Sequence, residues 1–120
     1  MDFNFSDDQN AIRDLAAQIF GDSASDERLL EFARGGETYD EALWRTLAEQ
    51  GLLGIAVPEE HGGTGLGLVE LCLVLEEQGR RVAPVPLYAS LVLGGLPIAA
   101  FGSEAMQARW LSRLAAGEVK

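Results

Sequence analysis

Apolar residues recur along this chain with the spacing of an α-helix, and short capping signals mark where the runs begin. In the first run they fall at i, i+3, i+4, i+7 and i+8, which places them on one face of a helix. These residues are Ile12, Leu15, Ala16, Ile19 and Phe20. Ser6, followed three residues later by Gln9, predicts a capping box at the start of this helix, and Gly21 predicts its end.

The same signals predict two further helices in the first half of the chain. Ser25 is placed to cap a helix that continues through Arg34 and stops at the following glycine pair. Asp40 is placed to cap a third helix, with Tyr39 and Trp44 positioned for an apolar contact across the cap. Gly51 then stands where a left-handed residue after the helix is expected.

Three more helices are expected in the second half. Residues 66–77 are apolar on nearly all sides, which predicts a helix buried on several faces, with Gly79 at its end. Residues 88–101 predict another buried helix, interrupted near Gly94 and Pro97. Ser103 predicts a last helix that Gly117 closes. Its inward face is expected to carry Met106, Trp110, Leu111 and Leu114.

Signals for β-strands are nearly absent from the sequence. The segment "LLGIAV" at 52–57 is the only strand candidate, and an isolated strand has no partner to pair with. A chain of 120 residues is long enough for one domain with a modest core. We therefore expect residues 1–120 to form a single all-α domain, an up-and-down-like bundle of five to six helices.

Charge and cysteine content narrow the classes of function. The chain carries 19 acidic and 9 basic residues, a formal net charge of −10. Such a surface repels nucleic acid and anionic lipid, so neither is expected as a partner. Cys72 is the single cysteine, which permits no internal disulfide and is typical of a reducing cytoplasm. The acidic start "MDFNFSDDQN" has no secretory signal pattern.

The uncharged stretch from Val82 to Phe101 could be either a membrane span or a core segment. Its 20 residues match the length that crosses a bilayer. Three prolines and the Gly94–Gly95 pair interrupt it, and it lacks the flanking basic clusters of a membrane helix. We expect a buried core helix and no membrane span.

The glycine-rich segment "GIAVPEEHGGTGLG" at 54–67 raises the question of a phosphate-binding loop. A Walker loop needs a lysine and a serine or threonine after its glycines, and neither is present. A dinucleotide fingerprint needs a third glycine where Leu68 stands, and it needs a βαβ context that this chain lacks. Glu59 and Glu60 would repel a diphosphate. The segment therefore predicts a tight structural turn.

No complete catalytic or metal site is marked in the sequence. His61 is the only histidine, and no cysteine–histidine cluster accompanies it, so we expect no metal site. Cys72 lies in an apolar run and is expected to be a buried, unreactive thiol. The adjacent acids at 59–60 and 76–77 are expected to be solvated. Arg80 and Arg81 suit the negative end of a helix dipole, and a salt bridge is the next option.

The order of these segments resembles the start of the flavin-dependent acyl-CoA dehydrogenase family. The resemblance is centred on "LWRTLAEQGLLGIAVPEEHGGTGLGLVELCLVLEEQGR" at 43–80. There a helix runs into a "PEE-x-GG-x-G" turn and then into a helix with an acidic pair. The opening "FSDDQNAIRDLAAQIF" and the closing "FGSEAMQARWLSRLAAGE" are similar to the first and last segments of the family's N-terminal helical domain.

The resemblance implies a function for a longer protein. In the family this domain precedes a flavin-binding β-domain and a C-terminal helical bundle, and both are absent from this chain. The family removes an α-proton from an acyl-CoA thioester with a carboxylate, while FAD accepts the β-hydrogen as hydride. The catalytic glutamate usually lies in the C-terminal bundle. We therefore expect no catalytic residue in these 120 residues, no flavin held by them alone, and no activity of the isolated chain.

The resemblance also implies that the segment "VPLYASLVLGG" lines the acyl pocket. Apolar side chains suit an acyl or polycyclic tail, and each could equally be packing the bundle. Pro84 and Pro86 depart from the family's longer helix and argue against a simple linear fatty substrate. The expected lining residues are Val85, Tyr88, Ala89, Val92 and Leu93.

Several functions share this domain and stay open at this point. An acyl-CoA dehydrogenase is the leading expectation, with an electron-transferring flavoprotein as acceptor and a homo- or hetero-oligomeric assembly. The resemblance applies equally to flavin-dependent acyl-CoA oxidases, nitroalkane oxidases and two-component monooxygenases, which share this N-terminal domain. A stand-alone helical interaction module is an alternative of another class, since the uncharged 82–101 segment would be partly exposed in the isolated chain.

Overall fold

A computed structural model describes residues 2–119, and this part of the chain forms six α-helices with no β-strand. Two 3₁₀ turns, Leu52–Gly54 and Glu59–His61, lie between the third and fourth helices. A π-helical segment, Tyr88–Gly95, leads directly into the fifth. The expected all-α bundle is confirmed. The helices are α1 Asp7–Ser23, α2 Asp26–Gly35, α3 Glu41–Glu49, α4 Leu68–Arg81, α5 Leu96–Phe101 and α6 Glu104–Ala115.

The predicted helix starts are confirmed by their hydrogen bonds. The backbone N–H of Gln9 donates to Ser6 Oγ at 3.1 Å, and the Ser6 N–H donates to Gln9 Oε1 at 2.9 Å, which completes the capping box of α1. Asp40 caps α3 by accepting the Leu43 N–H at 3.0 Å. Ser25 and Ser103 cap α2 and α6 in the same way. Side-chain oxygens at these positions satisfy N–H groups that have no partner within the helix.

Two predicted helix ends are wrong, because an isolated glycine does not oblige a helix to stop. α1 continues past Gly21 to Ser23. α4 continues past Gly79 to Arg81, and Val82 takes the left-handed conformation at φ 52°. The Val82 and Ala83 N–H groups donate to the carbonyls of Gly79 and Gln78. This pair of bonds is a Schellman motif, completed here by a valine in place of the usual glycine.

The core lies between α1, α3 and α4, with the 3₁₀ turns and the π-helical segment closing over it. α1 and α4 run parallel, since Gln9 near the start of α1 bonds Glu70, whereas Gly21 near its end lies against Arg81. The largest fully buried side chains include Phe20, Trp44, Leu47, Leu53, Leu71 and Leu87. The Cα trace measures 42 × 38 × 20 Å, a slab about two helices thick.

Several expectations about burial are corrected. Cys72 is exposed, because it lies on the outer face of α4, where Leu68 and Val69 are exposed as well. Met106 is 46% exposed and does not point inward. Glu77 is buried at 6% exposure rather than solvated, and the Arg80 Nε lies 3.1 Å from its carboxylate. This ion pair also confirms the salt-bridge option for Arg80.

The uncharged stretch is not one continuous buried helix. An irregular segment from 82 to 87 is followed by the π-helical segment and then by α5. Pro97 is the second residue of α5, and because it has no N–H, the ladder of helical hydrogen bonds that continues from the π-helical segment is interrupted there. Among the helices of residues 2–119, none combines the length and apolar character needed to cross a bilayer.

Candidate functional site: an apolar groove beside the π-helical segment

The glycine loop is a closed turn whose N–H groups are already used. Gly62 and Gly63 donate to the carbonyls of Glu59 and Pro58, and Thr64 donates to Gly54. The next two N–H groups, at positions 65 and 66, donate to the carbonyls at 57 and 55. A phosphate cradle needs free backbone N–H groups pointing at the ligand. This loop therefore provides no such cradle, and the expected structural turn is what the chain forms.

Close backbone approach explains the glycines of this turn. A Cβ at Gly63 would lie 2.0 Å from the Val57 carbonyl oxygen, a distance that no side chain can occupy. Gly62 and Gly65 have positive φ values of 87° and 70°. The "LLGIAV" segment, which was the only strand candidate in the sequence, forms no strand; it begins with a 3₁₀ turn and is held by the loop that follows it. His61 is mostly buried beside the loop, with its Nε2 3.9 Å from Glu60 Oε1.

The amino end of α4 is also occupied by a protein group. Glu70 Oε2 accepts the N–H of Gly67 at 3.1 Å, and Glu70 Oε1 accepts the Gln9 side-chain amide at 3.2 Å. The backbone N–H of Glu70 itself, then the Gln9 amide, then the Gly67 N–H lower the pKa of this carboxyl, and partial burial opposes them. A carboxylate therefore already neutralises the positive end of this helix.

The irregular segment before the π-helical segment is fixed by one glutamine. Gln78 Nε2 donates to the carbonyl oxygens of Ala83 at 3.1 Å and Val85 at 2.7 Å. The Pro84 carbonyl in turn accepts the Asp40 N–H at 2.8 Å. α4 and the cap of α3 thereby set the position from which the π-helical segment begins.

The five residues predicted to line an acyl pocket fall into two groups. Val85 is buried in the core, and Val92 is half-buried against it. Tyr88 and Leu93 are 57% and 60% exposed, and Ala89 is exposed as well. π-helical turns are rare and are often found at functional sites. The segment thus presents two large apolar side chains at the surface.

A groove lies between the π-helical segment and α6. Its volume is about 400 Å³, within the roughly 300–1,000 Å³ of ligand pockets. Of the five predicted residues, only Ala89 lines it. The apolar side chains that line it are those of Pro86, Ala89, Ile98, Trp110, Leu114 and Val119.

Eight of the nine groove residues in the described part of the chain were not predicted as site residues, and three of them matter most for the chemistry of the groove. Ser90 and Gly94 belong to the π-helical segment, and Trp110 was expected to pack inward from α6. The one signal for Ser90 in the sequence is a hydroxyl inside a long apolar run. Trp110 is half-buried, and the guanidinium carbons of Arg109 and Arg113 lie 4.9 and 5.6 Å from its ring centroid. Two cations therefore flank one wall of the groove.

Other parts of the described surface show neither a single sign of charge nor a cluster of metal-ligating side chains that would indicate a ligand. A depression of about 510 Å³ between α2 and α3 is lined by side chains of both signs, including Arg28, Glu31, Glu37 and Arg45. Within residues 2–119, no group of three or more histidine, cysteine or acidic side chains is placed to hold a metal ion. The groove and the exposed π-helical side chains are therefore the candidate site.

Fold and site together define an all-helical domain whose candidate site is an apolar surface. Residues 6–118 match the family described as "Acyl-CoA dehydrogenase, N-terminal domain". The chain belongs to the acyl-CoA dehydrogenase family and is its N-terminal helical domain. The resemblance seen in the sequence is thereby confirmed over nearly the whole chain.

Individual relatives agree with this assignment. The chain is 34% identical over 110 residues to acyl-CoA dehydrogenase FadE27 of Mycobacterium tuberculosis, covering 92% of this chain and 30% of the relative. It superposes with a TM-score of 0.84 on a variant of the Tcur3481-Tcur3483 steroid ACAD, at 48% identity, covering 92% of this chain and 30% of that one. It superposes at 0.91 on the ChsE4-ChsE5 complex from Mycobacterium tuberculosis, at 32% identity, covering 98% and 32%. The chain thus spans about a third of the length of these proteins.

Proposed function

We propose that this chain is the N-terminal domain of an FAD-dependent acyl-CoA dehydrogenase that introduces an α,β double bond into an acyl-CoA thioester. In this proposal the π-helical segment forms part of the wall around the acyl group. The observation that carries the proposal is the exposure of Tyr88 and Leu93 beside an apolar groove. Two large apolar side chains that stay exposed next to an apolar groove extend its apolar surface, and exposed apolar surface of this kind often marks a binding site.

The five predicted residues take different parts in this wall. Tyr88, Ala89 and Leu93 are open to a ligand, whereas Val85 and Val92 support them from the core side. The surface supplies burial and shape and contains no acid or base. An apolar wall contributes to the reaction by binding the acyl group and by excluding water from it.

Neither the glycine loop nor the amino end of α4 fits the diphosphate of FAD. The N–H groups of the glycine loop donate to backbone carbonyls, and the Glu70 carboxylate occupies the amino end of α4. A flavin held by a protein of this family would therefore depend on residues outside this domain. We infer that the isolated chain holds no flavin and is inactive.

The partners in this proposal are an acyl-CoA substrate, an electron-transferring flavoprotein and further subunits. The likeness to the ChsE4-ChsE5 complex supports a multi-subunit assembly. Acyl-CoA oxidase or monooxygenase chemistry on the same domain is the alternative within the superfamily. A helical interaction module is the alternative outside it, and the exposed Leu68 and Val69 on α4 favour such a role.

The proposal is tested by Tyr88→Ala in the full-length protein. Because Tyr88 is largely exposed, its loss should change the free energy of unfolding by about 0.5 kcal/mol or less. A buried aromatic residue would instead cost about 3–5 kcal/mol. We expect a change of threefold or more in the ratio of kcat/KM between short and long acyl-CoA thioesters, with unchanged flavin content.

The matched control is Phe101→Ala, which removes an aromatic residue that is 90% exposed at the end of α5 and does not line the groove. It should leave chain-length preference unchanged. If Tyr88→Ala unfolds the domain, or if it leaves the preference at the level of the control, the assignment of this wall is wrong.

A further inference from the structure

Ser90 is the one hydroxyl-bearing residue among the groove-lining side chains named above. It is 8% exposed, and its neighbours on the groove are Ala89 and Gly94. Its backbone N–H donates to the Pro86 carbonyl at 3.0 Å. Its hydroxyl makes no hydrogen bond within residues 2–119, and its oxygen is not among the fully enclosed polar atoms, so it is open to the groove.

The Ser90 hydroxyl is left without a protein partner although the residue as a whole is largely buried. Buried polar groups are normally hydrogen-bonded, and a helical serine commonly bonds the carbonyl four residues before it. The hydroxyl therefore provides a free donor and acceptor in an otherwise apolar groove, as expected for a group that orients a ligand.

Gly94 leaves room beside this hydroxyl. Its φ is not in the left-handed region, and a Cβ there would meet only the Ala89 carbonyl oxygen, at an ordinary contact distance of 3.6 Å. Neither the backbone nor the packing requires glycine at this position. Gly95 differs, because a Cβ there would lie 2.8 Å from Leu114 Cδ2. The space at Gly94 is thus available for a broad ligand.

We propose that the groove binds a bulky acyl group that carries a hydroxyl or carbonyl oxygen, and that the Ser90 hydroxyl hydrogen-bonds this oxygen. This inference rests on the proposed function, since it specifies the substrate class of the same surface. The apolar walls bury the carbon skeleton of the acyl group, and Ser90 fixes its orientation. A site built to bond a substrate oxygen discriminates against an analogue without it, because the protein hydroxyl then stays unpaired.

The test compares two ring-bearing thioesters in the full-length enzyme. The probes are 3-(4-hydroxycyclohexyl)propionyl-CoA and 3-cyclohexylpropionyl-CoA, which differ by one hydroxyl far from the reacting carbons, with butyryl-CoA as a slender reference. We expect the unmodified enzyme to prefer the hydroxylated ring about tenfold in kcat/KM. Ser90→Ala should reduce this preference to about one, and Ser90→Thr should retain it.

Ser112→Ala is the matched control, since Ser112 is an exposed helical serine on α6. It should keep the tenfold preference. Gly94→Val should lower kcat/KM for both ring compounds relative to butyryl-CoA. An unchanged preference in Ser90→Ala, with all three thioesters oxidised, would overturn the role of Ser90 and leave the proposed function standing. Failure of the unmodified enzyme to oxidise any of the three would overturn the proposed function itself.

Discussion

At the scale of single residues, a short chain of hydrogen bonds joins the amino ends of two helices. The side chain of Gln9 accepts the Ser6 N–H with its oxygen and donates to Glu70 with its amide nitrogen. Glu70 also accepts the N–H of Gly67. One carboxylate therefore caps α4 and holds it beside α1.

This carboxylate makes stability depend on pH in the acid range. Its pKa in the folded chain lies below the ordinary value of 4.5, because the N–H donors favour the charged form. Its contribution to stability is therefore fully present above that ordinary pKa and is lost as the pH falls through the lowered folded pKa. We expect Glu70→Gln to be less stable than the unmodified chain at pH 7 and nearly equal to it at pH 2.5.

Urea unfolding across this pH range measures the effect. Glu49→Gln, which removes one exposed negative charge from the end of α3, is the control for net charge alone. A stability difference for Glu70→Gln that persists unchanged at pH 2.5 would refute this role of the carboxylate.

A second prediction at this scale concerns the glycine loop. Gly63→Ala forces a Cβ against the Val57 carbonyl and must displace the backbone, so we expect it to destabilise the domain by about 3 kcal/mol or more. Gly79→Ala is the matched glycine substitution, in α4 with open space around it. It should stabilise the domain by about 0.5–1 kcal/mol. Thermal and urea unfolding compare the pair, and equal effects of the two changes would contradict the close-approach explanation.

At the scale of elements, Gln78 connects α4 to the segment that carries the site. It satisfies two carbonyl groups of the irregular 82–87 segment. Gln78→Ala leaves those carbonyls without this partner and should cost about 1–3 kcal/mol. Gln18→Ala, at an exposed position of α1, should cost less than about 0.5 kcal/mol.

Hydrogen exchange gives the local measurement. The backbone N–H groups of the π-helical segment should exchange faster in Gln78→Ala and at the original rate in Gln18→Ala. Unchanged protection of residues 88–95 in Gln78→Ala would show that the glutamine does not position this element.

Helix starts are predicted correctly from the sequence, whereas some helix ends and the π-helical turn are not. Capping signals are local, so Ser6, Asp40 and Ser103 predict helix starts correctly. Gly21 and Gly79 fail as helix ends because packing of α1 against α4 outweighs the small cost of a single glycine. The π-helical turn has no comparable local signal, and the periodicity of the sequence predicts an ordinary buried helix there.

The sequence indicates which segment carries the candidate site, but it does not indicate which residues line the groove. The resemblance points to residues 85–93, and the exposed residues Tyr88 and Leu93 lie within that range. Ser90 and Trp110 join one groove only through the packing of α6 on the π-helical segment. This contact between distant parts of the chain is not readable from either segment alone.

At the scale of the whole molecule, the domain is a thin slab with open apolar surface. Its 20 Å thickness leaves side chains such as Tyr88, Leu93 and Leu68 without cover in the described part of the chain. A domain of this shape suits a role as one layer of a larger protein. We therefore propose that the π-helical face contacts a ligand that other parts of that protein enclose.

The structure of the full-length protein with a bound acyl-CoA tests this assignment most directly. We expect Tyr88, Ala89 and Leu93 to lie within about 4.5 Å of the acyl group, the usual limit of an apolar contact. The assignment is contradicted if the acyl group lies elsewhere and this face is covered by another protein chain or is left in solvent.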